Sequence, residues 1–188
     1  LNGIDGYPVT VEIDISGGLP SFDLVGLADT SIKESKERVK SAIKNSGYQY
    51  PVNKITINLA PADQKKDRPV YDVAIAVAIL SATGQIPVDN VKDYIFLGEL
   101  SLDGEIKRIQ GVLPSIISAR QEGYKKFIIP YDNRLEASFV SDVECYAVKS
   151  LEEIFKFFNN ELKLKAVESS SYEQMLQTEN VSCLDFKN

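Results

Sequence analysis

Alternating apolar and polar residues mark three segments near the start of the chain. The alternation covers Val9 to Ile15, is interrupted by Gly17-Gly18, resumes over Phe22 to Val25 and returns over Lys54 to Ala60. A period of two residues is typical of a strand with one buried face. The pattern therefore predicts strands over 9–15, 22–25 and 54–60.

Helical periodicity marks the segments between these strands and after them. Ser31 and Glu34 have the spacing of a capping box, and the residues that follow alternate apolar and charged positions with the period of a helix. Asp72 to Thr83 is small or aliphatic almost throughout, which predicts a helix buried in the middle of the fold. Further helices are predicted after Gly111, over 133–139 and over 151–158.

The second half of the chain continues the alternation of strands and helices. Strands are predicted over 94–102, 126–129 and 144–148, and Asp103-Gly104 is a dipeptide favoured in tight hairpin turns. This order predicts an α/β (α+β) domain with a mixed sheet and packed helices. Because the pattern weakens beyond Asn160, we expect one domain over 1–160 and a linker or tail over 161–188.

The composition excludes several kinds of chemistry. The chain contains no histidine, so His-based acid/base catalysis and His metal sites are absent. Two cysteines, Cys145 and Cys183, form no CxxC pair, which favours a reducing, cytoplasmic compartment. The longest apolar stretch, Val73 to Leu80, is too short to cross a bilayer, so no membrane partner is expected.

No nucleotide motif is present. The sequence contains neither GxxxxGK[ST] nor GxGxxG, so no cofactor is expected in this chain. Carboxylates at Asp63 and Asp67, and at Glu99, Asp103 and Glu105, are candidates for acid/base or Mg²⁺ chemistry. Turn and hairpin roles explain them more simply, and we therefore predict no catalytic, cofactor or metal residue.

Charge is distributed unevenly over a net charge of -6. Residues 28–68 hold nine Lys or Arg against five Asp or Glu, and residues 132–188 hold six against eleven. The first of these segments is a candidate surface for contact with DNA or with another domain, although such charges commonly only solvate a face. The candidate residues are Lys33, Lys36, Arg38, Lys40, Lys65, Lys66 and Arg68.

Five segments, in order and spacing, resemble one protein family. They are GLPSFDLVGLAD (18–29), KESKERV (33–39), NLAPAD (58–63), YDVAIA (71–76) and FLGELSLDG (96–104). Together they resemble the N-terminal domain of the magnesium chelatase-like AAA+ ATPases, the ComM/YifB family. The resemblance runs from about Gly3 to Asn159.

The resemblance implies a fold shared with ribosomal protein S5 domain 2 and the Lon protease catalytic domain. It also implies an AAA+ ATPase module elsewhere in the same polypeptide, where ATP and Mg would bind. The family resembles hexameric helicases, and its proposed role is branch migration of DNA in natural transformation. This chain would then be a non-catalytic accessory domain of a homo-oligomeric parent protein.

A Lon-like fold raises the question of a Ser-Lys dyad. In the resemblance, the position of the Lon serine falls on Val70 and that of the lysine on Leu113. Neither aliphatic side chain can attack a carbonyl or accept its proton. Two alternatives remain open: a cryptic peptidase, for instance one using Ser115 with Lys66, and a stand-alone nucleic-acid-binding module.

Overall fold

A computed structural model describes residues 1–4, 8–27, 29–61, 66 and 69–170 of the chain, and nine strands lie within these ranges. They are β1 (Asn2–Ile4), β2 (Pro8–Ser16), β3 (Ser21–Val25), β4 (Lys54–Ala60), β5 (Tyr94–Phe96), β6 (Glu99–Leu100), β7 (Ile106–Lys107), β8 (Lys126–Pro130) and β9 (Glu144–Val148). Among these residues, seven strands form one sheet in the order β3-β4-β2-β1-β5-β8-β9, and β6 pairs with β7 as a hairpin.

The large sheet has two halves that meet at β1. On one side β1 pairs antiparallel with β2, which pairs antiparallel with β4, and β3 lies parallel to β4. On the other side β5, β8 and β9 follow in parallel. The register aligns Val11 with Leu59 and Ile13 with Ile57, so the apolar positions of β2 and β4 share one face. The predicted mixed sheet is confirmed.

Helices pack against this sheet. Their bounds are α1 (Asp29–Asn45), α2 (Asp72–Ala82), α3 (Val88–Val91), α4 (Val112–Gln121), α5 (Arg134–Ala137) and α6 (Leu151–Phe158), with 3-10 turns at Pro69–Tyr71 and Tyr131–Asn133. Every residue of α2 from Asp72 to Leu80 is buried. The prediction of a central helix is therefore confirmed. Nowhere in the described ranges is a helix long and apolar enough to span a membrane.

The predicted strand over 94–102 is wrong in one respect, because Gly98 divides it into β5 and β6. Gly98 has a φ of 150°, and its amide donates to the carbonyl of Val70 at 3.1 Å while its carbonyl accepts from the amide of Val73 at 3.2 Å. A Cβ at this position would lie 2.9 Å from side-chain atoms of Ile106 and Val73. The chain thus turns away from the sheet at the one residue that tolerates this contact. The hairpin predicted at Asp103-Gly104 is confirmed.

The predicted capping box at Ser31 and Glu34 is also wrong. Helix α1 begins at Asp29, so Ser31 lies inside its first turn. The same sequence pattern is used instead at α6, where the hydroxyl of Ser150 accepts from the amide of Glu153 at 3.2 Å. The carboxylate of Glu153 in turn accepts from the amide of Lys149 at 2.8 Å. The first bond satisfies one of the amides that the helix leaves without a partner, and the second fastens the residue before the cap.

Residues 161–170 have no helix or strand, yet they lie against the domain. Leu164 and Val167 pack, partly buried, against the core, and the amide of Val167 donates to the carbonyl of Cys145 in β9 at 2.7 Å. Of the predicted tail, 171–188 lies outside the described residues.

Candidate functional site

The segment in which a Lon-type serine would lie connects β4 to α2. The loop after Pro61 is described only at residue 66, so Asp63 and Asp67 are outside the described residues. Val70, in the 3-10 turn before α2, is 2% exposed. Leu113, at the start of α4, is partly buried against the core. Both positions of the expected dyad therefore hold aliphatic side chains that contribute to packing.

Two residues after Val70, a carboxylate is buried at the first position of α2. The hydroxyl of Ser35 donates to Oδ1 of Asp72 at 2.8 Å. Nε of Arg38 donates to Oδ2 at 2.6 Å and Nη2 donates to Oδ1 at 3.2 Å. The backbone amide of Leu100 donates to Oδ2 at 3.1 Å. This Asp72 cluster ties α1, α2 and the β6–β7 hairpin together through one side chain.

Burial and charge act in opposite directions on the pair. Burial raises the pKa of the Asp72 carboxyl, while the hydrogen bonds and charge of Arg38, the hydroxyl of Ser35 and the amide of Leu100 limit that rise. Burial alone would lower the pKa of Arg38, but Asp72, with Glu99 and Glu34, outweighs it and raises that pKa. In every hydrogen bond given above, an oxygen of the Asp72 side chain is the acceptor, which suits an ionised carboxylate.

A pocket of about 90 Å³ opens beside this pair. Its charged lining consists of the guanidinium of Arg38 and the carboxylates of Glu34, Asp72 and Glu99. Ligand pockets are typically about 300–1,000 Å³, and an excess of carboxylates repels phosphate groups. No group of three or more Asp, Glu, Cys or His among the described residues is placed to hold a metal ion. The size and charge of the pocket do not favour binding of a nucleotide. They favour a structural role for the Asp72 cluster, which holds α1, α2 and the β6–β7 hairpin together.

The structure places the basic residues predicted to contact DNA or another domain in different environments. Arg38 is engaged by Asp72, and its side chain is only 15% exposed. Lys66 is buried, and its ammonium donates to the carbonyl of Pro61. Lys65 and Arg68 lie outside the described residues.

Lysines of α1 remain accessible and lie on one face. Lys33 is exposed, and Lys36 and Lys40 are partly exposed. At about 100° per residue, these three lysines and Lys44 lie within an arc of about 80°, and they extend about 16 Å along the helix. Glu37 borders the same arc. We call these four residues the α1 lysine row.

A small pocket of about 90 Å³ adjoins the middle of this row. Lys36, Lys40, Tyr50 and Asn53 are among its polar lining residues, and Nζ of Lys40 lies 5.8 Å from the centre of the Tyr50 ring. Burial, with a smaller contribution from Glu37, raises the pKa of Tyr50 to about 12. The phenol is therefore neutral near pH 7 and can donate a hydrogen bond to an anion.

Sequence patterns did not identify the Asp72 cluster. A signal was available, since Asp72 is the only charged residue at the start of an otherwise apolar helix. Buried charges in such positions are paired as a rule. Their partners, Ser35 and Arg38, lie more than thirty residues earlier, and no local pattern connects them.

Comparison with known proteins places the chain among magnesium chelatase-related sequences. The profile of the family described as subunit ChlI of Mg-chelatase matches residues 11–133. The chain is 40% identical to competence protein ComM of Haemophilus influenzae over 162 residues, which are 86% of the chain and 32% of ComM. It is 40% identical to the uncharacterized protein YifB of Escherichia coli over 163 residues, 87% of the chain and 32% of YifB.

Similarity extends to a protease at a slightly lower level. The chain is 37% identical to Lon protease 2 of Bacillus subtilis over 144 residues, which are 73% of the chain and 26% of that protein. This similarity agrees with the mixed α/β architecture. The chain spans about a third of the length of ComM and YifB.

Proposed function

Because this chain belongs to the magnesium chelatase ChlI family and has ComM and YifB as relatives, we propose that it is the non-catalytic accessory domain of a ComM-like AAA+ ATPase. In this proposal an ATPase module elsewhere in the parent polypeptide binds ATP and Mg²⁺. The parent acts in the cytoplasm as a homo-oligomer, a hexamer by analogy with hexameric helicases. It moves DNA branches during natural transformation.

The observation that carries the non-catalytic role is the chemistry at the start of α2. Val70 is buried where a Lon-type enzyme would need a serine. The adjacent carboxylate, Asp72, has its donors within the fold, namely Ser35, Arg38 and the amide of Leu100. A group committed to internal bonds in this way is suited to fixing elements relative to one another.

A peptidase assay tests this role directly. Casein and fluorogenic peptides are incubated with the purified chain, and a serine-directed fluorophosphonate is used as a covalent probe. We expect no hydrolysis above buffer and no labelled serine. Saturable labelling of Ser115, lost in Ser115→Ala, would instead establish the cryptic peptidase and overturn the proposal.

The α1 lysine row favours contact with the DNA backbone as the second component of the proposal. The row has four ammonium groups along about 16 Å of helix, and Tyr50 and Asn53 offer neutral donors beside it. Phosphate contacts of this kind are independent of base sequence. They suit a domain that acts on DNA branches of any sequence.

Salt dependence provides the test, because each neutralised phosphate contributes about -0.9 to the slope of log K against log salt for duplex DNA. Four contacts give a slope of about -3.6, and Lys36→Gln/Lys40→Gln should reduce it to about -1.8. The matched control is Lys92→Gln/Lys163→Gln, which changes the net charge equally at two exposed lysines away from α1. Equal effects of the two variants in fluorescence anisotropy would show that only net charge matters and would reject the row as a site.

The accessory role itself is tested in the parent protein. The ATPase rate of the full-length protein is measured with and without branched DNA, with Lys36→Gln/Lys40→Gln introduced in this domain. Stimulation by DNA should fall while the rate without DNA is kept. If the full-length protein hydrolyses no ATP, the ATPase context is wrong, whereas DNA binding by this chain is judged separately.

A further inference from the structure

The chain reverses direction immediately after α6. Asn160 has a φ of 60°, and the amides of Glu161 and Leu162 both donate to the carbonyl of Lys156, at 2.8 and 3.2 Å. These bonds close the last turn of the helix and direct the following residues back along the domain. Residues 161–170, which we call the strap, then follow the edge of the sheet.

The strap lies beside β9, the last strand in the order of the large sheet. The amide of Val167 donates to the carbonyl of Cys145 at 2.7 Å, and the amide of Ser170 donates to the carbonyl of Ser138 at 2.7 Å. The hydroxyl of Ser169 donates to the carbonyl of Val140 at 3.4 Å. Partner numbers fall as strap numbers rise, so the strap runs antiparallel to residues 138–145.

Attachment of the strap is weaker than that of the strand beneath it. Strand β9 is aligned with β8 at five consecutive positions, whereas within the described residues only the Val167 amide joins the strap to β9 by a backbone bond. Two apolar side chains, Leu164 and Val167, are partly buried, and Lys163, Lys165 and Glu168 are exposed. Segments with few buried apolar groups are the first to open locally.

We propose that the strap detaches from the β9 edge as a unit while the rest of the domain stays folded. Detachment uncovers the backbone of β9 at an edge of the sheet that can accept an extended strand. In the closed state the strap occupies this edge. In the proposed accessory domain, which this inference extends, a pull on the strap would be transmitted to the sheet at this edge. The detachment itself does not depend on that role.

The rate at which the Cys145 thiol is alkylated can be used to measure detachment of the strap. The side chain of Cys145 is 2% exposed in the strand that the strap covers, and burial raises the pKa of its thiol to about 12. Alkylation requires an accessible thiolate, so the closed state is protected. Replacing Cys183 by Ser leaves Cys145 as the only thiol of the chain.

The experiment measures the alkylation rate of Cys145 in the Cys183→Ser background. Val167→Pro removes the amide that bonds to Cys145 and keeps a similar apolar volume. The Cys183→Ser parent keeps both the amide and the Val167 side chain and serves as the matched control. We expect Val167→Pro to label about two- to tenfold faster than this parent, the change that the loss of one hydrogen bond gives. Ser170→Pro, compared with Ser170→Ala, should act in the same direction.

Low concentrations of urea separate detachment from global unfolding. Opening of a short segment exposes little surface, so the labelling rate should be nearly flat in urea before the unfolding transition. Equal labelling rates for Val167→Pro and the Cys183→Ser parent, and for Ser170→Pro and Ser170→Ala, would overturn the proposal. A rate that rises with urea in parallel with the global unfolding constant from circular dichroism would overturn it as well, because the strap would then be part of the cooperative core.

Discussion

Substitution of Arg38 by Met is expected to destabilise the domain strongly. Among the described residues, Arg38 supplies two of the hydrogen bonds to the buried carboxylate of Asp72 and brings a positive charge into contact with it. Met retains much of the aliphatic stem but leaves an unpaired charge inside the protein. Removing one partner of a buried ion pair costs about 3–5 kcal/mol. For a chain of this size that corresponds to a fall in Tm of about 6–20 °C.

The direction in which a second substitution changes the stability of Arg38→Met makes the test sharper. In Arg38→Met/Asp72→Asn the carboxylate becomes a neutral amide whose oxygen can still accept from Ser35 or Leu100. We therefore expect the double variant to be more stable than Arg38→Met alone, by about 1–3 kcal/mol. Urea unfolding followed by circular dichroism gives both values. The matched control is Lys33→Met on the exposed face of α1, which should change stability by less than about 0.5 kcal/mol.

Acidification should partly rescue Arg38→Met. The pKa of Asp72 is raised by burial, and loss of the neighbouring positive charge raises it further. Over the pH range between the unfolded and the native pKa, the native state holds a proton that the unfolded state has released, so stability falls as pH rises. The loss relative to wild type should therefore be largest at neutral pH and shrink as pH falls. A double variant less stable than Arg38→Met, or a loss that does not change with pH, would refute this account of the Asp72 cluster.

Three other substitutions test separate features by urea unfolding. Gly98→Ala should cost about 1–3 kcal/mol because its Cβ would overlap two side chains, whereas Gly17→Ala, which meets nothing within 4 Å, should be close to neutral. Burial raises the pKa of Tyr48 to about 12, so stability should fall as pH rises from about 10 to about 12, and Tyr48→Phe should weaken that fall. Ser150→Ala removes the cap of α6 and should cost about 1 kcal/mol; no loss would mean that solvent caps the helix equally well.

Much of the fold could be predicted from local periodicity. The strand over 54–60 and the helix over 151–158 have the predicted bounds, because one face of each is apolar with an unbroken period. The strand over 94–102 could not be resolved in this way. Its division at Gly98 depends on Val70 and Val73, which the chain brings close only after α2 has packed.

Much of the candidate site depended on contacts that sequence spacing does not reveal. Arg38 and Lys36 are equivalent as positive charges in a sequence, yet only Arg38 faces α2 and pairs with Asp72. The position of Arg38 is set by the rotation of α1 about its axis, which the packing of Val39 and Ile43 decides. The predicted contacts of Lys33, Lys36 and Lys40 with DNA or another domain stay predictions.

The central place of β1 has a consequence for the order of folding. Its three residues join the antiparallel half of the sheet to the parallel half, through pairing with β2 on one side and β5 on the other. Strand β2 follows within a few residues, but Ile95, the partner of Asn2, is more than ninety residues away. Closing so long a loop is entropically costly and slows folding. The antiparallel half can form early during synthesis, and the seam between Asn2 and Ile95 has to wait for the chain up to β5.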